Sequence, residues 1–415
     1  MFFNRRPLDG RPCRHSWAML NPQLEQLSDY MFRRLALLLE PVAPPPGRAP
    51  IDLSIGQPMH PVPELLTETL HAHGHLWGRY PPVGATPEFR AAVAGWLTRR
   101  YRLPQGTLDP ERHVLPCAGT KEALFMIAQV VVPERKAGGV PAVLLPNPFY
   151  NVYLGAAVIA GAEPVLLPVS AATGHLPALD DLSPALLERT AAFYLCSPSN
   201  PQGTAADLPY LQRLITLARR YDFVLIVDEC YAEIYTRTAP VGALEAALGL
   251  GGGLDRVVVF HSLSKRSSAA GLRSGFVAGD PGVLAAFSRL RSYGAAVQPL
   301  PIVAAATALW QDEAHVIANR ERYREKFDLA DHCLAGRFDY VRPDGGFFLW
   351  LDVGDGEAVT RRLWAEAAIK VLPGAYLGRA DASGRNPGER AIRVAMVHDL
   401  ETTQAALAGL IERLA

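Results

Sequence analysis

The chain has 415 residues and a mass of 45.0 kDa, with 49% hydrophobic and 20% charged residues, which is typical of globular proteins and excludes disordered and collagen-like chains. Lys plus Arg and Asp plus Glu both number 41, so the net charge is zero, and we expect no attraction of the whole chain to nucleic acid or to a membrane surface. The length predicts two or three compact units.

The cysteines and the apolar runs indicate where the protein works. Five cysteines are scattered without a Cys-x-x-Cys pair, which disfavours a disulfide framework and a structural zinc site. No apolar run approaches the roughly 18 residues that would cross a bilayer. We therefore expect a cytoplasmic protein with no bound metal and no membrane partner.

The N-terminal region contains three predicted segments. Residues 1–18 are rich in arginine but lack the apolar core of a secretory signal, so we predict a disordered tail and consider Met19 a candidate start. Periodic apolar residues between Leu24 and Leu38 predict a helix. The prolines at 41–46 predict an extended connector after it.

The central region has the rhythm of an α/β fold. Pro87, with Thr86 as its cap, begins an amphipathic helix, and Asp207 caps another. Short apolar runs without alternation predict strands that are covered on both faces. These predicted strands are Val143–Leu145, Pro164–Leu167, Ala192–Cys196, Phe223–Val227, Val257–Phe260 and Gly275–Ala278. Strands that alternate with helices in this way predict a largely parallel sheet.

The pattern of apolar and charged residues changes after about residue 300. A long charged helix is predicted around Arg320–Asp328, followed by an apolar run at Phe347–Leu351 and a closing helix near Thr402–Leu414. This succession predicts a smaller α+β unit at the C-terminal end.

One lysine stands out as a candidate for covalent chemistry. Lys136, Lys326 and Lys370 lie in loop or charged settings that are typical of solvated side chains. Lys265 instead follows the C-terminal end of a predicted strand, where open α/β sheets bind ligands. Partial burial beside Arg266 would favour its neutral amine and hence imine formation with an aldehyde. The alternative is an ordinary surface lysine.

A carboxylate ends another predicted strand. Asp228 follows Phe223–Val227, and a buried carboxylate there needs a cationic partner. The pyridine nitrogen of pyridoxal phosphate (PLP) is such a partner, because a carboxylate keeps the ring protonated and able to accept electrons from the substrate α-carbon. Tyr231 follows at a distance that suits the ring oxygen. The alternative is that Asp228 caps the next helix.

Two weaker motifs accompany these residues. Asn200 precedes Pro201 in a turn after a predicted strand, and a cis junction there would direct the Asn200 amide into the cleft. Gly119 and Thr120 come at the start of a predicted helix, where backbone amides and a hydroxyl suit a phosphate, although simple capping explains Thr120 equally well. Arg273 is placed to hold the same phosphate.

Taken in order, these motifs resemble the class I/II aminotransferases of PLP fold type I, over a span from Leu53 to Val394. The resemblance implies an α/β fold of the aspartate aminotransferase type, with a mostly parallel central sheet in a large domain and a smaller α+β domain. It implies an N-terminal segment of the small domain at 19–58, a large PLP-binding domain at 59–300 and a C-terminal small domain at 301–415.

The resemblance also assigns roles at the catalytic centre. Lys265 would bind PLP covalently and act as the general acid and base, and Asp228 would pair with the pyridine nitrogen. Asn200 and Tyr231 would bind the ring oxygen, and Tyr150 would lie on the ring face.

The remaining roles concern the phosphate and the substrate. The residues that would hold the phosphate are Gly119, Thr120, Ser262 and Arg273. Arg393 would bind the substrate α-carboxylate, with a backbone contact from Gly56. Tyr80 would reach the phosphate of a neighbouring subunit, which implies a homodimer.

Within the family, the strings 228–235 and 264–280 look most like succinyldiaminopimelate aminotransferases of bacterial lysine biosynthesis, although Ser268 and Gln57 stand where that subfamily has Asn and Glu. The expected substrates are N-succinyl-LL-2,6-diaminopimelate and 2-oxoglutarate or glutamate. The alternatives are another aminotransferase specificity, a PLP-dependent β-lyase on the same fold, or a ligand-sensing regulatory module.

Overall fold

The computed structural model describes residues 21–27, 29–381 and 383–414. The predicted tail at 1–18 and the candidate start at Met19 lie outside the described residues. Within them, no helix combines the length and the apolar character needed to cross a bilayer.

The described residues form α-helices and β-strands in alternation. The helices are α1 (Met31–Leu39), α2 (Glu64–Ala72), α3 (Pro87–Arg100), α4 (Pro110–His113), α5 (Thr120–Met126), α6 (Ala128–Val131), α7 (Asn151–Ile159), α8 (Pro184–Arg189), α9 (Leu208–Tyr221), α10 (Ala243–Gly249), α11 (Leu263–Arg266), α12 (Pro281–Gly294), α13 (Leu300–Gln311), α14 (Ala314–Leu334), α15 (Gly356–Ala367) and α16 (Leu400–Leu414). The strands are β1 (Ile51–Asp52), β2 (Val114–Cys117), β3 (Ala142–Asn147), β4 (Glu163–Pro168), β5 (Thr190–Cys196), β6 (Val224–Asp228), β7 (Val257–Ser262), β8 (Gly275–Gly279), β9 (Phe348–Asp352), β10 (Ile369–Lys370), β11 (Leu372–Pro373) and β12 (Ala391–Ala395).

A seven-stranded sheet in the order β2-β8-β7-β6-β5-β3-β4 forms the centre of the molecule. The pairs β3–β4, β3–β5, β5–β6 and β6–β7 are parallel, and β8 runs antiparallel to both of its neighbours. The mostly parallel sheet predicted from the sequence is thus confirmed. The predicted strand at Gly275–Ala278 is the one that runs in the opposite direction.

Both faces of this sheet are covered by helices. Along β6, Val224 and Ile226 pack into one hydrophobic cluster, and Leu225 and Val227 pack into the other. Burial on both faces removes the need for polar residues at every second position. This explains why the strands read as continuous apolar runs in the sequence.

A second, antiparallel sheet has the order β11-β12-β9. The N-terminal segment joins this part of the chain: Ile51 pairs with Ile369, Leu53 N donates to Lys370 O at 2.7 Å, and Ala395 N donates to Leu53 O at 2.8 Å. Residues near the two ends of the chain therefore meet, and the segment leads directly into the cavity described below.

The predicted N-terminal helix between Leu24 and Leu38 is interrupted. A 3-10 helix at Pro22–Gln26 ends at Leu27, whose backbone is extended, and α1 begins only after Tyr30, which is also extended. Leu27 nevertheless packs against the core. The periodic apolar residues therefore pack against the core on both sides of the break, and they do not form one continuous helix.

Two of the predicted solvated lysines are tied into the structure. Lys326 is only 2% exposed, because α14 packs its charged face against the N-terminal segment, and its Nζ donates to Met396 O at 3.0 Å. Lys136 donates to Thr190 O at 2.6 Å and Tyr221 O at 3.0 Å. The prediction of solvated settings is therefore wrong for Lys326, and Lys136 is half-buried.

The cap of α9 offers a test of how the sequence starts a helix. Asp207 accepts a hydrogen bond from Tyr210 N at 2.8 Å, as predicted, and α9 buries Leu211, Leu214 and Ile215 against the sheet. We expect Asp207→Ala to lower the free energy of unfolding by about 1 kcal/mol, because a helix amide loses its acceptor. Urea denaturation measures this. Asp255→Ala, at an exposed aspartate with no such role, is the matched control, and an equal loss in both variants would contradict the prediction.

Candidate active site

A cavity of about 260 Å³ opens at the carboxyl edge of the large sheet. Asn200 follows β5, Asp228 ends β6 and Lys265 follows β7, so three neighbouring parallel strands bring these residues together. The predicted site residues that line the cavity are Gly56, Thr120, Tyr150, Asn200, Asp228, Tyr231, Ser262, Lys265, Arg273 and Arg393.

Lys265 presents its amine to the cavity. Its Nζ donates to Gly56 O at 2.5 Å and lies 5.1 Å from the centre of the Phe347 ring. Burial, reinforced by the nearby cations Arg393 and Arg273, lowers the pKa of Lys265 to about 8. A substantial share of the amine is therefore neutral near physiological pH, which a nucleophilic or basic lysine requires.

Asp228 is buried and held by two donors. Its Oδ2 accepts from the Tyr153 hydroxyl at 2.7 Å, and its Oδ1 accepts from Cys230 N at 3.2 Å. Burial raises the pKa of Asp228 above its ordinary value. The alternative in which Asp228 caps the next helix is wrong, since a turn follows it and α10 begins only at Ala243.

Arg393 is a buried cation, only 2% exposed. Its Nη1 donates to Asn200 Oδ1 at 3.0 Å, its Nη2 donates to Ser54 O at 2.8 Å, and its guanidinium carbon lies 4.1 Å from the centre of the Phe348 ring. Burial lowers its pKa to about 10. The Asn200–Pro201 peptide bond is cis, as predicted.

The structure shows no carboxylate paired with this buried charge among residues 21–27, 29–381 and 383–414. Among the described residues, Arg393 forms no ion pair, and its Nε is buried without a hydrogen-bond partner. An isolated charge is costly to bury. The cavity is therefore built to receive an anion at Arg393.

Arg273 is a second arginine of the cavity and lies next to Gly119. Arg273 adopts a left-handed backbone with φ of 53°, and a side chain at position 119 would collide with its guanidinium. Gly119 itself has φ of 83°, which glycine tolerates best. Gly119 thus packs behind Arg273 rather than lining the cavity.

Two small hydroxyl side chains line the same cavity as Arg273. Thr120 Oγ1 lies 3.1 Å from Cys230 Sγ, and the alternative in which Thr120 caps the helix is not observed, because Gly119 occupies that position. Ser262 Oγ accepts from Ser264 N at 3.1 Å and donates to Ser274 O at 3.2 Å. Thr120 and Ser262 both line the cavity together with Arg273.

Tyr80 is not brought to this cavity. Its side chain is 101% exposed, and it does not line the cavity of its own chain. Its assignment to a neighbouring subunit stays a prediction.

Several lining residues were not anticipated from the sequence. Tyr153 follows Tyr150 by three residues on or beside α7, so helical spacing could have indicated that both face the cavity; their rings contact edge to face at 5.6 Å. Ser264 lies next to Lys265 and could have been included. Tyr30 and Phe32, in contrast, reach the cavity from a distant segment and carried no local signal.

The donor set suits one class of cofactor. The amine of Lys265, whose pKa is lowered, can bind an aldehyde covalently. The buried carboxylate of Asp228, whose pKa is raised, favours a cationic partner. Arg273 and the hydroxyl groups of Thr120 and Ser262 in the same cavity suit a phosphate, and Tyr150 offers an aromatic surface. A flat ring that carries an aldehyde, a protonated nitrogen and a phosphate meets all of these groups.

Comparison with curated proteins supports this chemistry. The chain is 33% identical over 363 residues to the 4-dedimethylamino-4-oxo-anhydrotetracycline transaminase OxyQ of Streptomyces rimosus, covering 87% of this chain and 92% of that protein. It is 30% identical over 364 residues to the LL-diaminopimelate aminotransferase of Desulforudis audaxviator, covering 86% and 90%.

Solved structures agree in fold. An aminotransferase from Neisseria meningitidis superposes with a TM-score of 0.90 at 40% identity, covering 95% of this chain and 100% of that one. A probable N-succinyldiaminopimelate aminotransferase from Thermus thermophilus superposes with a TM-score of 0.80 at 26% identity, covering 92% and 100%.

The family model for class I and II aminotransferases matches residues 48–410. This match includes the lysine, the carboxylate and both arginines of the cavity. The chain therefore belongs to the class I and II aminotransferases, a PLP-dependent family whose members use amino acids and 2-oxo acids as substrates.

Proposed function

We propose that this aminotransferase transfers an amino group between N-succinyl-LL-2,6-diaminopimelate and 2-oxoglutarate, with glutamate as the amino donor in the reverse direction. Two findings support this substrate: the resemblance of the sequence around Asp228 and Lys265, and the likeness to the Thermus thermophilus structure. The curated relative named for LL-diaminopimelate makes the unsuccinylated amino acid the second candidate.

The observation that carries the proposal is that Lys265 and Arg393 line the same cavity. Arg393 is a buried cation that lacks an anionic partner among the described residues, and the amine of Lys265 has a pKa lowered to about 8. An α-amino acid carries a carboxylate for the first group and places its α-carbon near the second. A planar guanidinium binds a carboxylate with two parallel hydrogen bonds and so fixes its orientation.

We assign the cofactor contacts to the residues named from the sequence. Lys265 would hold PLP covalently, Asp228 would face its ring nitrogen, Asn200 and Tyr231 its ring oxygen, and Tyr150 its face. Thr120, Ser262 and Arg273 would surround the phosphate, with Gly119 packed against Arg273. Bound PLP supplies the electron sink for the substrate α-carbon. A cation opposite Asp228 would lower the pKa that burial raises.

Lys265 would also move the proton. Its Nζ donates to Gly56 O and lies near the Phe347 ring, so the amine faces the cavity where the substrate would bind. A base with a pKa of about 8 is well matched to proton transfer near neutral pH. Arg393 would hold the substrate so that the α-hydrogen points toward this amine.

We further propose a cytoplasmic homodimer in which Tyr80 reaches the phosphate site of the neighbouring subunit. The full exposure of Tyr80 in the single chain supports this arrangement. The division into a segment at 19–58, a large domain at 59–300 and a small domain at 301–415 is part of the same proposal. It is supported by the pairing of Ile51 with Ile369.

The absorbance of PLP-loaded protein tests the substrate. We expect N-succinyl-LL-2,6-diaminopimelate and glutamate each to remove the absorbance of the lysine-bound cofactor, and 2-oxoglutarate to restore it. LL-diaminopimelate should have little effect. The variant Lys265→Ala should show no such absorbance and no turnover, because it lacks the amine that binds the cofactor.

Each other outcome has a defined meaning. If glutamate acts and the succinylated compound does not, transamination stands and the proposed substrate is wrong. Release of ammonia and a 2-oxo acid product when no 2-oxo acid acceptor has been added would identify a β-lyase, because that reaction needs no amino acceptor. PLP binding with no response to any amino acid would favour the regulatory module.

The pH dependence of cofactor uptake tests the state of Lys265. Only the neutral amine attacks an aldehyde, so the rate of covalent PLP uptake by the apoprotein should rise about tenfold per pH unit and then level off near pH 8. N-acetyl-lysine, with an ordinary amine pKa, serves as the control. A rate that continues to rise up to pH 10 would show that the cavity does not lower the pKa of Lys265.

The variant Arg393→Lys tests carboxylate binding while it keeps the positive charge. Because the two parallel hydrogen bonds are lost, we expect the KM for glutamate to rise roughly 10- to 100-fold and covalent PLP uptake to change little. Arg390→Lys is the matched control, since Arg390 lies on the same part of the chain in an exposed pair with Asp352 at 2.8 Å. An unchanged KM in Arg393→Lys would refute the assignment.

A further inference from the structure

Lys265 lies on a helix of about one turn. α11 contains only Leu263–Arg266, with Ser262 as its N-terminal cap and a backbone bond from Ser267 N to Leu263 O at 3.1 Å. The last carbonyl groups of a helix have no donor within the helix. The orientation of α11, and with it the direction of the Lys265 side chain, therefore depends on groups outside the helix.

Asn319 of α14 supplies those donors. Its Nδ2 donates to Lys265 O and to Arg266 O, both at 3.2 Å. Asn319 is only 5% exposed, so water does not compete for these bonds. Backbone carbonyls can only accept, which means that the amide nitrogen of Asn319 must face α11 and its oxygen must face away.

His60 holds that amide in place. Its Nδ1 lies 2.7 Å from Asn319 Oδ1, and because this oxygen can only accept, Nδ1 carries the proton. Its other ring nitrogen, Nε2, is then the acceptor. The ring also packs against Tyr323, with 4.4 Å between ring centres.

Lys326 is the last residue in this series of hydrogen bonds. Its Nζ lies 2.7 Å from His60 Nε2 and donates to Met396 O at 3.0 Å. Burial, with the positive charge of Lys326, lowers the pKa of His60 to about 4, which keeps the ring neutral and Nε2 free to accept. Burial also lowers the pKa of Lys326 to about 7, and its Nζ carries an N–H to donate in either protonation state. The other charged groups around Lys326 are Arg322, Glu325 and Asp399, and His398 also faces this region.

We propose that Asn319, His60 and Lys326 form a positioning relay for Lys265: a one-way chain of N–H donors that runs from Lys326 through His60 and Asn319 to the backbone carbonyl of Lys265. None of the three lines the cavity, so they act through the backbone of α11 rather than on a substrate. The inference rests on the role proposed for Lys265.

The relay joins the three segments that build the site. His60 lies four residues after Gly56, whose carbonyl accepts from Lys265 Nζ, and Ser268 Oγ donates to His60 O at 3.0 Å. Met396 lies three residues after Arg393. Small displacements of α11 would therefore be opposed from both the N-terminal segment and the strand that carries Arg393.

The variant Asn319→Asp tests the relay, because a carboxylate cannot donate to the two carbonyls. We expect kcat and the rate of covalent PLP uptake by the apoprotein to fall about 10- to 100-fold, with little change in the KM for glutamate. Asn386→Asp is the matched control: Asn386 Nδ2 donates to Ala375 O at 3.0 Å, away from α11. Both variants are also compared by thermal unfolding.

A lower unfolding temperature in both variants, without a loss of uptake or kcat in Asn319→Asp, would overturn the proposal and leave Asn319 a purely structural residue. Failure of the wild-type chain to take up PLP covalently would instead overturn the role of Lys265, and the relay with it.

Two variants of His60 distinguish its hydrogen bond to Asn319 from its hydrogen bond to Lys326. They also test the proposal if Asn319→Asp does not fold. The amide nitrogen of an asparagine at position 60 can replace Nδ1 and keep the bond to Asn319, whereas a glutamine places its polar group near Nε2 and meets only Lys326. We expect His60→Asn to retain most of the uptake rate and His60→Gln to lose it. Equal rates in the two variants would contradict the directed chain.

Discussion

Desolvation of charge at the carboxyl edge of the large sheet is the constraint on which the rest of the structure depends. Lys265, Arg273 and Arg393 face one cavity together with the buried carboxylate of Asp228. Burial pushes Lys265, Arg393 and Asp228 toward their neutral forms, so the pKa of Lys265 and of Arg393 falls and that of Asp228 rises. A cofactor and a substrate of complementary charge would therefore stabilise the charged forms of these buried groups.

The sheet makes this concentration of charge possible. Parallel strands place their carboxyl ends at the same edge, so Asn200, Asp228 and Lys265 come together although they are far apart in sequence. The helices on both faces remove the strands from water, and the polar groups can then gather only at the strand ends. Arg393 comes from the other sheet, through β12, and lines the same cavity.

The N-terminal segment couples these two sources of residues. Its backbone pairs with β10 and β12, Ser54 O accepts from Arg393, and Gly56 O accepts from Lys265. The relay through His60 adds a side-chain link from the same segment to the backbone of Lys265. Movement of this segment would therefore displace Lys265 and Arg393 together. This coupling suits a site that must align the amino group and the carboxylate of an α-amino acid.

Local patterns in the sequence were sufficient to predict the α/β class, the mostly parallel sheet, the caps at Thr86 and Asp207 and the candidate residues at strand ends, because strand burial, capping and turn chemistry act over a few residues. The break before α1 and the burial of Lys326 were not predictable in this way. Both depend on which distant segment packs against the residue.

The same distinction applies to the site. The ordered motifs of the sequence by themselves determined the aminotransferase family and named Lys265, Asp228 and Arg393. Only the tertiary structure decided that Tyr153 holds Asp228, that Arg393 lies buried without an anionic partner among the described residues, and that Asn319 orients the helix of Lys265. A side chain's chemistry is written in its own residue, but its burial, charge state and hydrogen-bond partners are set by residues that folding brings from elsewhere in the chain.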